Sequence, residues 1–219
     1  MIVLITAGPV SERIDAVRRI TNTATGRLGA LTAEAFHKQA GSRIEKIIYV
    51  CEAQVIKPDI PDLEIVTTEG AENLESTLKN LLARYRPDAV IHSMAVSDYS
   101  VDYVTSVSGY ANPQEDRLDN SGKLSSDIEH PIHHKKKTPK VIRCIKETAP
   151  DTILVGFKLL DGAAADELVY TAGALLTKNR CAFVVANDSR SIHENDHTAY
   201  LVFPDRAYTK VEGKQEIGR

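Results

Sequence analysis

A buried strand that leads through a long polar loop into a helix constrains the fold of this chain more than any other feature. Residues 2–6 read Ile-Val-Leu-Ile-Thr, and an apolar helical stripe begins shortly after Gly26. A strand this uniformly apolar is typical of a sheet that is covered on both faces. The loop between the two elements is rich in hydroxyls, arginines and glycines and carries an asparagine amide. Such a loop, at the carboxyl end of a strand and beside a helix N-terminus, is typical of α/β proteins that bind anionic ligands.

Strand and helix patterns alternate along most of the chain. Further strands are predicted at residues 46–50, 63–67, 89–92, 153–157 and 182–186, and a terminal hairpin at residues 200–210. Apolar stripes with helical spacing lie between the strands, at Leu28, Leu31, Ala35 and Phe36, at Leu74, Leu78, Leu81 and Leu82, at Val141, Ile142 and Ile145, and at Leu168, Ala172, Leu175 and Leu176. This alternation predicts an α/β fold with a doubly wound, mostly parallel, Rossmann-like sheet.

The pattern breaks once, between the fourth strand and the helix that follows it. Residues 97–138 show no sustained periodicity and are interrupted by Gly and Pro residues. A loop of that length in a compact domain is usually functional or mobile. We therefore expect one domain over residues 1–219 with a long flap at about 97–138. Order should return with Thr138 as the N-cap and Pro139 as the first residue of the next helix.

Composition argues against several classes of protein. The net charge is 27 − 30 = −3, which does not favour bulk binding to nucleic acid or to an anionic membrane. No run approaches the roughly 18 apolar residues of a transmembrane helix, and the N-terminus has no basic head or cleavage site of a signal peptide. The three cysteines, Cys51, Cys144 and Cys181, form no CxxC motif, so we expect reduced thiols in a cytoplasmic protein.

Polar side chains that follow the predicted strands are candidate ligand contacts. Asn22 lies in the first loop, Asp98 follows the fourth strand, and Phe157 and Asn187 lie at the ends of the next two strands. The carboxyl ends of parallel strands share one edge of a sheet, so these side chains should converge there. Each also has an ordinary structural interpretation, such as a helix cap for Asn22 or an Asx turn for Asp98. Their convergence predicts an enzyme that handles a nucleotide.

Two basic segments could add phosphate contacts. Lys123 lies in the flap, where a lysine could close over developing negative charge, and residues 133–139 carry three lysines next to a predicted helix N-terminus. A solvated lysine is the ordinary alternative for both segments. The adjacent His133 and His134 lack the i, i+4 spacing of a helical metal site, so no metal ligand is assigned.

Taken in order, these segments resemble the phosphopantothenoylcysteine synthetase family of coenzyme A biosynthesis. The resemblance runs from residue 2 to about residue 203 and is carried by residues 5–8, 15–22, 26–29, 95–99, 123–126, 155–157, 178–179 and 186–188. It implies that a nucleoside triphosphate, CTP in most bacterial members and ATP in eukaryotic ones, activates the carboxylate of 4′-phosphopantothenate. The amine of L-cysteine then attacks the acyl-nucleotide. It also implies Mg²⁺ with the triphosphate, and a homodimer in which part of the flap completes the neighbouring site. Because the chain starts at the family's first strand, a stand-alone form without flavin is expected.

The resemblance assigns roles residue by residue. Asn22 and Lys123 are the implied catalytic residues, Asn22 by holding the acyl intermediate and Lys123 by meeting the triphosphate. The implied nucleotide contacts are His92, Ser93, Met94, Asp98, Lys123, Lys136, Lys137, Thr138, Pro139, Phe157 and Lys178. The implied substrate contacts are Gly8, Asn22, Gly26, Arg27, Ala95 and Asn187.

The chain departs from the family pattern at a few positions, and two rival functions remain open. The first turn reads Gly-Pro-Val-Ser-Glu over residues 8–12, and the family's second triphosphate lysine would fall near Ala174. One rival is a short-chain NAD(P)-dependent reductase, although none of Tyr99, Tyr103 and Tyr208 has a lysine four residues on, and the first loop lacks GxGxxG. The other is a nucleotide-binding module without turnover, which would bind the nucleotide but release no pyrophosphate.

Overall fold

The computed structural model describes residues 1–61, 63–107, 109, 116–192 and 197–219. Its elements in chain order are β1 (Ile2–Ala7), β2 (Glu12–Arg13), β3 (Arg19–Ile20), α1 (Arg27–Ala40), a 3-10 turn (Gly41–Arg43), β4 (Lys46–Cys51), β5 (Glu64–Thr67), α2 (Ala71–Tyr85), β6 (Ala89–His92), β7 (Tyr99–Thr105), β8 (Arg117–Leu118), β9 (Ile132–Lys137), α3 (Val141–Thr148), β10 (Ile153–Leu160), α4 (Ala165–Asn179), β11 (Phe183–Ile192), β12 (His197–Val202), β13 (Tyr208–Glu212) and α5 (Lys214–Gly218).

The central sheet has eight strands in the order β13-β12-β11-β10-β6-β1-β4-β5. The six strands from β11 to β5 pair in parallel, and β12 and β13 extend the sheet in antiparallel fashion beyond β11. From β1 the chain moves outward through β4 to β5, and from β6 it moves the other way through β10 to β11. The predicted doubly wound, Rossmann-like fold is therefore confirmed, with its topological switch point between β1 and β6.

The flap departs from its prediction, because it contains a second, small sheet. β7 pairs with β9 and with β8, all antiparallel, in the order β8-β7-β9. The expectation of a segment without regular structure was wrong. β9 reads Ile-His-His-Lys-Lys-Lys, which has no strand periodicity, and it is held as a strand only by a partner some thirty residues earlier in the chain.

Thr138 does not cap the helix that follows the flap. Helix α3 begins at Val141, with Lys140 as the preceding residue and no capping side chain. The Thr138 hydroxyl donates instead to the carbonyl of Ser97, and its backbone N–H donates to the carbonyl of Asp98. Thr138 thus ties the two ends of the flap together where they leave the central sheet.

Small residues allow helix α1 to lie close to β1. A Cβ at Gly29 would come within 2.4 Å of the Ala7 Cβ. Gly26, directly before the helix, has a φ of 82°, and a Cβ there would lie 2.2 Å from a methyl of Val55. Ala7 and Val55 therefore occupy the space that side chains at Gly29 and Gly26 would need, so packing within the protein already accounts for both glycines. No helix in the described part of the chain is long and apolar enough to span a membrane.

Just above the core, a buried clamp fastens β6 to β1. The Thr6 hydroxyl lies 2.8 Å from Nδ1 of His92, and the Thr6 carbonyl accepts hydrogen bonds from the backbone N–H (3.1 Å) and the hydroxyl (2.7 Å) of Ser93. His92 is 6 % exposed, and burial lowers the pKa of its imidazole to about 4. The side chain is therefore neutral at pH 7 and serves the junction of the two strands.

Gly29→Ala should destabilise the fold. The added methyl meets the Ala7 Cβ at 2.4 Å, so α1 or β1 must shift, and overpacking of this kind costs about 1–3 kcal/mol of the free energy of unfolding. Urea denaturation measures the loss. Gly173→Ala is the matched control, because a Cβ added at this second helical glycine would meet no atom within 4 Å, and the variant should gain about 0.5–1 kcal/mol. Equal stability of the two variants would contradict the packing argument.

His92 should make the protein sensitive to mild acid. Its pKa is about 4 in the folded protein and about 6.5 in an unfolded chain, so its stabilising contribution is complete above pH 6.5 and is lost as the pH falls toward 4. At pH 5 the loss from this residue is about 2 kcal/mol.

Urea denaturation at pH 7.5 and pH 5 checks this expectation. His92→Gln should lower the stability at pH 7.5 but remove that part of the loss between the two pH values. The exposed His37, changed to Gln, is the control and should retain the wild-type loss. An unchanged pH dependence in His92→Gln would show that the buried imidazole is not the acid-sensitive group.

Candidate active site

A cleft of about 900 Å³ crosses the carboxyl ends of β1, β6, β10 and β11. It therefore lies at the topological switch point, where open α/β sheets bind their ligands. Twelve of the residues proposed from the sequence line it: Gly8, Asn22, Gly26, Arg27, His92, Ser93, Met94, Ala95, Asp98, Pro139, Phe157 and Asn187. They come from separate stretches of the chain, so the expected convergence of strand ends is confirmed.

The loops after β1 and β6 are joined at the floor of this cleft. The Ala95 N–H donates to the Gly8 carbonyl at 2.8 Å, and the Ala95 carbonyl accepts the Val10 N–H at 3.0 Å. The same carbonyl also accepts Nδ2 of Asn22 at 2.8 Å. This bond fixes the Asn22 amide on the cleft wall, with its Oδ1 and second N–H left for a ligand.

At the mouth of the cleft, Asp98 forms an ion pair with Lys140. Both side chains are more than half exposed, so the pair adds little to stability. A base amine that approaches Asp98 therefore meets a carboxylate whose Oδ1 already accepts a hydrogen bond from the Lys140 ammonium. Lys140 was missed from the sequence, where it stands next to the proposed segment 136–139. Only the fold brings it beside Asp98.

The β10 and β11 end of the cleft carries residues to which the sequence assigned no role. Lys158 lies beside Phe157, and His197 and Lys214 lie near Asn187. His197 is the first residue of β12, two positions before Ala199, which pairs with Asn187. Since alternate residues of a strand share a face, a strand predicted from residue 197 instead of residue 200 would have placed His197 on the same face as Asn187.

Lys123 does not line the cleft. It lies between Gly122, whose carbonyl accepts the Ala16 N–H, and Leu124, whose N–H donates to the Asp15 carboxylate at 3.1 Å. Arg18 reaches the same place, since its guanidinium bonds both Asp15 and the Leu124 carbonyl. This part of the flap is thus fixed against the first loop, outside the cleft of the same chain.

The buried carboxylate of Asp15 makes that attachment. Burial by itself would raise its pKa, but hydrogen bonds from the Arg18 side chain and from the N–H groups of Val17, Arg18 and Leu124 hold the pKa well below its usual range. The carboxylate is therefore ionised throughout the physiological range. In the sequence, Asp15 belongs to the segment 15–22 that carries the family resemblance, which assigns it no role.

The remaining lysines and Thr138 also lie outside the cleft. Lys136 and Lys137 are on β9, and Lys136 forms an ion pair with Glu72 at 3.3 Å. Lys178 is exposed near the end of α4, three residues beyond Leu175, which does line the cleft. Their contacts within one chain give no support to a role with the nucleotide, and that role stays a prediction.

The chemistry of the cleft suits an anionic ligand. Arg27, Lys140, Lys158 and Lys214 place cations on its wall, and α1 opens toward it with Gly26, which has no capping side chain. Within the described ranges, no group of three His, Cys, Asp or Glu side chains could hold a metal ion.

Comparisons with known proteins agree with this architecture. The family model of the DNA/pantothenate metabolism flavoprotein C-terminal domain matches residues 1–219. The coenzyme A biosynthesis bifunctional protein CoaBC of Thermococcus kodakarensis is 30 % identical over 207 residues, which are 94 % of this chain and 45 % of that protein. The chain spans less than half the length of the curated relatives it matches.

Solved structures share the fold over the whole chain. The crystal structure of the DNA/pantothenate metabolism flavoprotein from Streptococcus pneumoniae superposes with a TM-score of 0.87 at 35 % identity and covers 100 % of this chain and 95 % of that one. A Cab2 mutant in complex with phosphopantothenate-cysteine, at 17 % identity and a TM-score of 0.73 over 99 % of this chain and 83 % of that one, shows the fold alone. This chain belongs to the family of the DNA/pantothenate metabolism flavoprotein C-terminal domain.

Proposed function

We propose that this chain is a phosphopantothenate–cysteine ligase of coenzyme A biosynthesis. It would join 4′-phosphopantothenate to L-cysteine through an acyl-nucleotide formed from CTP or ATP. The observation that carries the proposal is the single cleft in which Asn22, Asp98, Phe157 and Asn187 meet. The family supports it, since curated relatives are coenzyme A biosynthesis proteins, and so does the shared fold of a protein solved with phosphopantothenate-cysteine.

The two half-reactions place different demands on the cleft. Formation of the acyl-nucleotide develops negative charge on phosphate oxygens, which cations and helix N–H groups stabilise. Asp98 is the acceptor available to a base amine at the cleft mouth, and Phe157 offers a ring on which a base can stack. Aminolysis requires a fixed acyl group, and the Asn22 amide, held by the Ala95 carbonyl, is placed to bind it.

Mg²⁺ belongs to this proposal as the partner of the triphosphate. Among the described residues, Asp98 is the one carboxylate that lines the cleft, and it is paired with Lys140. The donor set therefore fits an ion that is held by phosphate oxygens and water, with few protein ligands. The ion would neutralise charge on the triphosphate, while Asn22, Phe157 and Asp98 orient the reacting groups.

A homodimer would give Lys123 its role. Lys123 is exposed, lies outside the cleft of its own chain, and is flanked by residues that are fastened to the Asp15 turn. A lysine presented in this way can serve a neighbouring protomer. We therefore place Lys123 in the triphosphate site of the partner subunit.

Incubation with 4′-phosphopantothenate, L-cysteine, Mg²⁺ and either CTP or ATP tests the ligase directly. Release of pyrophosphate together with phosphopantothenoylcysteine is the expected result, and the two nucleotides compared side by side give the preference. Nucleotide binding without pyrophosphate release would favour a non-catalytic module. Reduction of a carbonyl substrate with consumption of NAD(P)H would favour the reductase.

Asn22→Ala and Lys123→Ala should affect different half-reactions. Loss of one donor to a developing charge typically slows a step about 10²–10³-fold. Lys123→Ala should slow formation of the acyl-nucleotide, whereas Asn22→Ala should slow aminolysis, so that the acyl-nucleotide persists after rapid quenching. Lys38→Ala and Asn80→Ala, which remove exposed side chains of α1 and α2, are the controls. An Asn22→Ala enzyme that forms no acyl-nucleotide would refute the role given to Asn22.

Mixing the two inactive variants tests the shared site. If Lys123 acts on the partner subunit, a dimer of one Asn22→Ala and one Lys123→Ala chain has one intact site, and random exchange should restore about a quarter of the wild-type rate. If both residues act within one chain, every site stays impaired and the mixture stays inactive. Sedimentation or light scattering establishes that the chains have dimerised and exchanged.

A further inference from the structure

Two buried polar side chains face each other at the β11 end of the cleft. His197 is 5 % exposed and Asn187 is 6 % exposed, and both line the cleft. Nε2 of His197 lies 3.0 Å from Oδ1 of Asn187. Nδ1 of His197 is buried, and among the described residues it has no hydrogen-bond partner.

The local backbone holds this pair in place. Asn187 pairs with Ala199 across β11 and β12, and the register then shifts, so that Ile192 pairs with His197. The extra residues of β11 leave His197 diagonal to Asn187 on one face of the sheet. On its other side, the His197 carbonyl accepts the Gly213 N–H at 2.8 Å. The strand register and the backbone hydrogen bonds of β12 therefore fix the relative positions of these two side chains.

The neutral imidazole determines which way the Asn187 amide faces. Burial, and secondarily the charge of Lys214, lowers the pKa of His197 to about 4, so the ring carries one N–H at pH 7. A hydrogen bond to Oδ1 requires that N–H at Nε2, which leaves a lone pair on the buried Nδ1. In the opposite arrangement, Nδ1 would carry a buried N–H without an acceptor, and orphan donors are rarer than orphan acceptors. The Asn187 NH₂ is therefore turned away from His197.

That NH₂ group is directed to a ligand. No described residue accepts a hydrogen bond from Nδ2 of Asn187. The wall of the same cleft carries the cations Arg27, Lys140 and Lys158. An amide donor in a cleft with cations on its wall suits an anionic oxygen, as in a carboxylate or a phosphate.

We propose that His197 is a positioning residue, which holds the Asn187 amide so that its NH₂ donates to a carboxylate or phosphate oxygen of a bound substrate. The identity of that substrate rests on the proposed ligase function. The sources of such an oxygen are then 4′-phosphopantothenate, L-cysteine and the nucleotide.

Binding titrations on the full chain test this assignment without requiring turnover. 4′-Phosphopantothenate, CTP with Mg²⁺, and L-cysteine are titrated separately by calorimetry into wild type, Asn187→Ala, His197→Leu, His197→Gln and the Asn187→Ala/His197→Leu double variant. One ligand should lose about tenfold in affinity in Asn187→Ala and in His197→Leu, since a hydrogen bond to a charged group is lost. That ligand is the source of the oxygen.

Three outcomes separate positioning from simple structural support. His197→Gln keeps an N–H at the Nε2 position and should restore the affinity. In the double variant, His197→Leu should add nothing to the loss caused by Asn187→Ala, because both act through one donor. Imidazole ¹H–¹⁵N correlation spectra of the wild type should show the tautomer with the proton on Nε2.

Additive losses, absence of rescue by His197→Gln, or a proton on Nδ1 would each overturn the proposal. So would unchanged affinity for all three ligands in a folded His197→Leu variant. A wild-type protein that binds one of the ligands but releases no pyrophosphate would reject the ligase function and leave the positioning role supported by the same titrations.

Discussion

The carbonyl of Ala95 is the point on which the candidate site depends. It accepts the Val10 N–H and the Asn22 amide, while the N–H of the same residue donates to the Gly8 carbonyl. Three hydrogen bonds at one residue thus extend the pairing of β1 and β6 past the end of the sheet. A switch point normally leaves a crevice between diverging loops. Here the crevice has a closed floor, so ligand-binding groups from both loops keep a fixed separation.

The side chains below that floor show why the strands cannot separate easily. Thr6 uses its hydroxyl and its carbonyl to bind His92 and Ser93; Thr6 and His92 are buried, and Ser93 is partly buried. Breaking the clamp would leave several polar groups without partners in an apolar surrounding, and each costs about 1–3 kcal/mol. Of the segment 92–94, which was proposed to contact the nucleotide, the His92 ring and the Ser93 hydroxyl are thus already engaged with Thr6. Contacts of this segment with a ligand would have to come from its remaining groups.

The sequence predicted the features that depend on where strands end, and it missed contacts between residues that are far apart in the chain. Asn22, Asp98, Phe157 and Asn187 were found because each lies at or beyond the predicted carboxyl end of a strand, and strand ends meet at one edge whatever the details of packing. Thr138 was assigned wrongly because its hydroxyl prefers the carbonyl of Ser97, forty-one residues away, to the adjacent helix. Lys140 and His197 were missed for the same reason, since their partners Asp98 and Asn187 are neighbours only in the folded sheet.

The two ends of the cleft are rigid for different reasons, and this difference bears on the reaction. At the β1 end, the backbone carbonyl of Ala95 holds the Asn22 amide. Substitutions of the side chains around Asn22 should therefore leave its position unchanged. At the β11 end, the antiparallel strands β12 and β13 extend the sheet beyond its parallel part, and His197 lies on β12. There the His197 side chain holds the Asn187 side chain, so a single substitution at His197 would allow the Asn187 amide to turn around. The proposed ligase would hold an acid, a nucleotide and an amine in one cleft, and it would need fixed donors at both ends. The antiparallel extension of the sheet supplies the second of them.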